Sequence, residues 1–224
     1  VLAAGVPVIF VNPPLNMMGS ESPLSRHCCV IRDQLAIGRV GADYFIDRQY
    51  TNFAYVGDVK NKSWSSDRSE GFAERVAERG FLCNVYPAPP KAERDDFGLE
   101  KKRLRTWLKK LSKPVALMAA RDLRARQILD TCMDEGIAIP HEIAVLGVGN
   151  DEIFCETTTP TLSSIALDGE NTGYDCAKML EEQMCCAPSP RRRLAGCIAG
   201  SPLDCGSNRR RRRDRRQRGR PRRR

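Results

Sequence analysis

The chain has 224 residues, 41% of them hydrophobic, enough for one large α/β domain or two small lobes with cores of their own. Its formal charge of +9 is unevenly placed: residues 187–224 hold 15 of the 37 Lys and Arg and 2 of the 28 Asp and Glu, so this tail carries +13 and the body 22 minus 26, or −4. A mildly acidic body excludes a broad electrostatic footprint for nucleic acid, and no apolar run approaches the ~18 residues of a membrane span.

From Val6 to about Gln183, short β-branched runs alternate with helical segments of period 3.6, the pattern of parallel strands joined by helices. Strands are expected at 7–11, 28–31, 52–56, 83–86, 115–119, 143–148 and 163–167. In "DQLAIGRVGADYFIDR", Ile37, Val40, Gly41, Tyr44 and Phe45 form one apolar stripe. In "SSDRSEGFAERVAERG", Asp67 and Glu70 have capping-box spacing, Phe72, Ala73, Val76 and Ala77 make the buried face, and Gly80 ends the helix. A weaker helix at 99–111 has Trp107 and Leu111 as anchors. "DLRARQILDTCMDEG" turns Ala125, Ile128, Leu129 and Cys132 inward before Gly136, and a last helix at 170–183 buries Gly173, Ala177 and Leu180. Two irregular stretches interrupt the alternation, 12–25 and 87–96; the first directly follows a strand, where open α/β sheets bind ligands.

Ten cysteines show no C-x-x-C and no paired ligand spacing, and His27 and His141 stand alone, so neither a disulfide framework nor a metal site is expected. Cys132 and Cys176 fall on apolar helix faces, as reduced thiols of a cytoplasmic protein do. Dinucleotide, P-loop and nucleophile-elbow motifs are missing, which removes the usual fingerprints of nucleotide and acyl-transfer enzymes; no cofactor and no enzymatic activity are expected.

What remains is a set of polar residues at strand ends: Asn12 after "PVIFV", Trp64 and Arg68 at a helix start, Arg121 and Asp122 after "VALMAA", and Asn150 with Asp151 after "IAVLGVG". Guanidinium, amide and carboxylate groups around an aromatic ring suit a polyhydroxylated ligand. Each hydroxyl donates and accepts, and the ring covers the C–H face. Singly, each has a plainer role: Asp122 as a helix cap, Arg68 paired with Asp67 or Glu70, Trp64 as core.

The stretch "PVALMAARDLRARQILDTCMDEGIAIPHEIAVLGVGNDEIFCETTTPTLSSIALDGENTGYDCAKMLEEQM", with "DQLAIGRVGADYF", "FAYVGD" and "WSSDRSEGF" upstream, resembles the sugar-sensing domain of bacterial xylose operon regulators. Those are LacI/GalR-type, periplasmic-binding-protein-like sensors followed by an AraC-type helix-turn-helix domain. The resemblance implies an α/β type I periplasmic-binding-protein-like fold: two doubly wound parallel-sheet lobes with a ligand cleft and three chain crossings, the first lobe truncated. It implies a truncated first lobe over 1–57, a second lobe over 58–160, a return to the first lobe over 161–186 and a disordered Arg-rich tail over 187–224, with crossings at 57–63 and before Ser163. The ligand residues it implies are Asn12, Trp64, Arg68, Arg121, Asp122 and Asn150. Arg121 stands where the family often has asparagine, and Gly149 where an aspartate reaches the sugar.

The implied effector is a pentose, D-xylose first, and the implied partners are DNA, through a helix-turn-helix domain outside this chain, and a second copy in a full-length homodimer. A periplasmic sugar-binding protein of an uptake system would share the fold and is the competing reading; a small α/β enzyme is the third. The tail reads either as a phosphate-binding basic arm or as GC-rich coding sequence out of frame, the second being preferred. The shortened first lobe is expected to leave open sheet edges and a tendency to associate.

Overall fold

The computed structural model describes residues 6–13, 17, 21, 22, 24, 27–60 and 62–185, and the backbone of two short strands beyond them. Most of the 12–25 excursion lies outside the described residues. The elements in chain order are β1 (Ile9–Val11), β2 (Cys28–Ile31), α1 (Gln34–Ile46), β3 (Phe53–Val56), α2 (Ser63–Ala77), β4 (Cys83–Val85), a short 3-10 turn (Lys91–Glu93) and α3 (Phe97–Lys110). They continue with β5 (Val115–Ala119), α4 (Asp122–Asp134), β6 (Ile143–Gly149), α5 (Glu152–Thr157), β7 (Ser163–Ala166), α6 (Gly169–Cys185), β8 (Leu194–Ala195) and β9 (Pro202–Leu203).

Two sheets organise these elements. The smaller has the order β1-β2-β8 and the larger β4-β3-β5-β6-β7-β9, every pairing being parallel except β7 with β9. Strands β3 and β5 are buried at every position and β6 at all but its last, which is why they read as continuous apolar runs rather than alternations. One core layer joins Leu104, Leu117, Ile128 and Ile143 beneath α3 and α4; the other joins Ile37, Phe45, Phe53, Phe72 and Ile165 beneath α1 and α2. Helices on both faces of a mostly parallel sheet match the parallel strands joined by helices expected from the alternation and make the doubly wound α/β fold that the resemblance implies.

Sheet membership moves the expected lobe boundaries. Strand β3, expected on the first-lobe side of residue 57, hydrogen-bonds to β4 and β5 in the large sheet. The first passage between sheets therefore comes at Arg32–Asp33, between β2 and α1, and the loop at 57–63 stays within the second lobe. Likewise β7 pairs with β6, so the return comes after that strand, at residues 167–168, and not before Ser163. A third passage separates β8 from β9. Strand runs in sequence carry no label of which sheet they join; the pairing partners decide it.

Several helix details also shift. Helix α2 starts at Ser63, a turn before the expected capping box, and its cap position, Lys62, makes no side-chain cap bond, so Asp67 lies inside the helix. Gly80 and Gly136 do adopt left-handed φ values of 83° and 65° and stop α2 and α4 as expected. In α6 the buried residues are Thr172 and Met179, while Gly173 and Ala177 are exposed: the helix is turned to meet the short sheet at β1, a narrower surface than a full lobe offers. Within 187–224, expected to be without structure, β8 and β9 pair with the free edges of β2 and β7, whose unpaired backbone groups accept even two-residue partners. The remainder of that segment lies outside the described residues.

Candidate functional site

A cleft of about 630 Å³ opens between the ends of β1 and β2 on one side and α2, α4 and β6 on the other. Asn12, Trp64, Arg68 and Arg121 line it together with Arg32, Gln34, Lys62 and Asp67; Asp122 and Asn150 are not on its wall. It lies at the carboxyl ends of parallel strands, where backbone and side chains converge on open space.

Arg68 is the centre of the wall. Because α2 begins at Ser63, Trp64 and Arg68 sit one turn apart on one face, and the guanidinium carbon lies 4.8 Å from the indole ring centroid. Its Nε donates to Gln34 Oε1 at 2.7 Å and its Nη1 to the Ala120 carbonyl. With 5% of its surface exposed, burial holds its pKa down to about 10; Arg32 pushes the same way, while Tyr55 and Asp122 oppose. It therefore stays cationic at neutral pH. Both its acceptors are neutral, and among the described residues Nη2 bonds no protein atom.

Asn12 closes the opposite wall. It holds a left-handed φ of 49°, its N–H donates to the Val30 carbonyl at 2.8 Å, and its Oδ1 accepts from the Arg32 N–H at 2.8 Å. That ties the end of β1 to the end of β2 and leaves the Nδ2 amide as its remaining donor. Arg121, the residue before α4, is extended and half exposed, and its Nη2 pairs with Asp58 Oδ2 at 3.0 Å. Asp58 is itself fixed, accepting from the Lys60 N–H at 2.9 Å and donating its own N–H to Ser65 Oγ at 2.9 Å.

Asp122 faces away from the cleft. Its Oδ1 accepts from Ser164 Oγ at 2.6 Å and its Oδ2 from the Asp151 N–H at 2.8 Å, with 3% of the residue exposed. Burial pushes this carboxyl above the ordinary carboxylate range, against the Ser164 and Asp151 bonds that favour its ionised form. The neighbouring glycines make room for it: a β-carbon on Gly147 would stand 2.2 Å from Oδ1, and one on Gly149, where φ is 130°, 2.9 Å from Oδ2. Asn150, at φ 55°, donates its N–H to Ser164 Oγ at 3.0 Å, and Asp151 caps α5 by accepting from the Ile153 N–H at 3.0 Å. The "GVGND" turn thus locks β6, α4, α5 and β7 together around one carboxylate.

Arg32, Gln34 and Lys62 were missed in the sequence. The rule that picked Asn12 and Arg121, polar residues directly after a strand, also applies to Arg32 and Gln34 once β2 is seen to end in the cleft. Lys62 carries no such signal, because only the fold brings its loop to that wall. Among the described residues no group of three His, Cys, Asp or Glu side chains is placed to hold a metal.

Comparison with known proteins agrees with this architecture. A xylose operon regulatory protein of Haemophilus influenzae is 27% identical over 155 residues, covering 68% of this chain and 40% of that protein. The Escherichia coli protein of the same name is 26% identical over 191 residues, covering 84% of this chain and 48% of that protein. The chain thus spans about half the length, or less, of these curated relatives. A solved structure of the xylose-binding transcription activator xylR superposes with a TM-score of 0.73 at 25% identity, over 89% of this chain and 51% of that one. The family model described as periplasmic binding protein-like domain matches residues 42–201, and this chain belongs to that family.

Proposed function

We propose that this chain is the effector-sensing part of a bacterial transcription regulator and that the cleft receives a small sugar. The observation that carries the reading is the Arg68–Trp64 pair on the wall opposite Asn12: a buried cation whose Nη2 bonds no protein atom among the described residues, beside an aromatic face. Arg68, Arg121 and Asn12 supply donors for hydroxyl oxygens, Asp67 supplies an acceptor, and the indole covers the C–H side. Asp122 and Asn150 act from behind, holding the turn that shapes the cleft. D-Xylose is the first sugar to test, since two relatives are xylose operon regulators by name and one solved structure is of a xylose-binding activator.

Sugar bound between the two sheets favours the closed arrangement only by its difference in affinity for closed over open lobes. Because the chain passes between the lobes at Arg32–Asp33 and at 167–168, closure would turn on these segments. In a full-length regulator that motion would reach a helix-turn-helix domain and a dimer partner on cytoplasmic DNA. The test is calorimetric titration with D-xylose, L-arabinose, D-ribose and D-glucose. Binding of a pentose, weakened at least about tenfold by Arg68→Ala, supports the proposal, as the loss of one charge-assisted contact set requires. Heat from none of them, or equal binding by the variant, rejects it.

A further inference from the structure

The charges around the cleft are not those a neutral sugar needs. Four cations line it, Arg32, Lys62, Arg68 and Arg121, against two carboxylates, Asp33 and Asp67. Arg121 already has Asp58 as its partner, and Asp33 spends Oδ1 on the N–H of Ala36 at the start of α1. Arg32, Lys62 and Arg68 form no ion pair among the described residues. Arg32 and Arg68 line the same hollow, and Arg32 adds to burial in disfavouring the Arg68 charge, which Tyr55 and Asp122 favour. Holding a buried cation beside another with only neutral acceptors is unfavourable unless an anion joins them. Gly149, without a side chain, places no carboxylate at this end of β6, and Asp122 is committed to Ser164 and Asp151.

Building on the sugar-sensing proposal, we infer that the cleft selects a small polyhydroxylated ligand carrying one anionic group, held between Arg32 and Arg68, over the neutral pentose. The guanidinium Nη2 of Arg68 and the Arg32 fork grip the anionic oxygens, a planar geometry suited to carboxylate or phosphate. Asp67 and the Asn12 amide then take hydroxyls, and Trp64 covers the ring or chain.

The experiment titrates the full chain with D-xylose, D-xylonate, D-glucuronate and D-xylose 5-phosphate at low and high ionic strength. At least one anion binds about tenfold or more tightly than D-xylose, and the gap narrows in salt. The sugar acids and the phosphate ester separate carboxylate from phosphate as the preferred group. In Arg32→Gln, the ratio of anion to xylose affinity falls about tenfold, with Lys62→Gln producing a smaller fall in the same direction. Circular dichroism checks the fold of each variant; should Arg32→Gln not fold, the salt dependence and Lys62→Gln decide. Xylose binding as tightly as every anion, or an affinity ratio unmoved by salt and by both substitutions, overturns the inference and leaves a sugar cleft standing. No heat from any of the four overturns both.

Discussion

Gly38 and Gly71 bring α1 and α2 into backbone contact: a β-carbon on Gly38 would stand 2.2 Å from the Arg68 carbonyl oxygen, and one on Gly71 2.2 Å from that of Leu35. This closeness lets Gln34, at the first turn of α1, reach Arg68 on α2. Each helix begins at the cleft, where residues of its first turns line the wall.

Gly71→Ala tests that relationship. The added methyl has backbone, not a flexible side chain, in its way, and the helices must separate. The expected loss is about 1–3 kcal/mol in urea denaturation, with weaker ligand binding because Gln34 no longer orients Arg68. A variant as stable as its parent would mean the helices slide apart without consequence.

Asp122→Asn keeps the shape and removes the charge. An amide cannot accept from both Ser164 and the Asp151 N–H in the present geometry, so the turn loses a bond, at about 1–3 kcal/mol. The pH dependence has a definite sign. A carboxyl whose folded pKa is raised binds its proton more tightly in the folded state, so its contribution falls as pH rises upward from its ordinary value of 3.8. Denaturation of parent and variant across pH 3.5 to 7 should show the parent's advantage shrinking with increasing pH. An advantage that grows instead would place the carboxyl's pKa below its ordinary value.

Gly149→Asp supplies the carboxylate that resemblance to the family leads one to expect at this position. Here it meets Asp122 Oδ2 at 2.9 Å from its β-carbon and must adopt a φ of 130°. Backbone strain of about 1–3 kcal/mol is expected, with like-charge repulsion added. Thermal unfolding measures the loss, and a gain in sugar affinity without it would show that the turn relaxes.

Arg124 and Glu100 form a buried ion pair with 3% and 7% of their side chains exposed, joined by Tyr86 Oη on the carboxylate and the Gly57 carbonyl on the guanidinium. Arg124→Leu leaves Glu100 buried without its cation, with only the Tyr86 hydroxyl on it, a loss of about 3–5 kcal/mol. The double variant Arg124→Leu with Glu100→Leu should recover a large part of it. A double-mutant cycle in denaturant reads the coupling directly, and additive effects would remove it.

Much of the second lobe was legible because burial writes itself into periodicity. The inward residues of α4, the stop glycines Gly80 and Gly136, and the apolar runs of β5 and β6 all follow from local pattern. Where the pattern was short or its partner distant, the reading slipped: the buried face of α6 depends on a three-stranded sheet, and the start of α2 one turn early has no side-chain cap to announce it. Of the six expected ligand residues, four line the cleft. Asp122 was indistinguishable in sequence from a cleft residue, because its burial comes from Gly147 and Ser164 on other strands.

Composition and periodicity alone determined an α/β chain of parallel strands joined by helices, with an acidic body, strands covered on both faces and polar groups gathered at strand ends. Each of these is a property of neighbouring residues along the chain. Only the tertiary structure decided which sheet β3 and β7 join, that Asp122 turns inward while Arg68 has no carboxylate partner among the described residues, and that Arg32 lines the same cleft. Those are pairings between segments tens of residues apart, set by hydrogen-bond registry and packing, forces that leave no repeat in the local sequence.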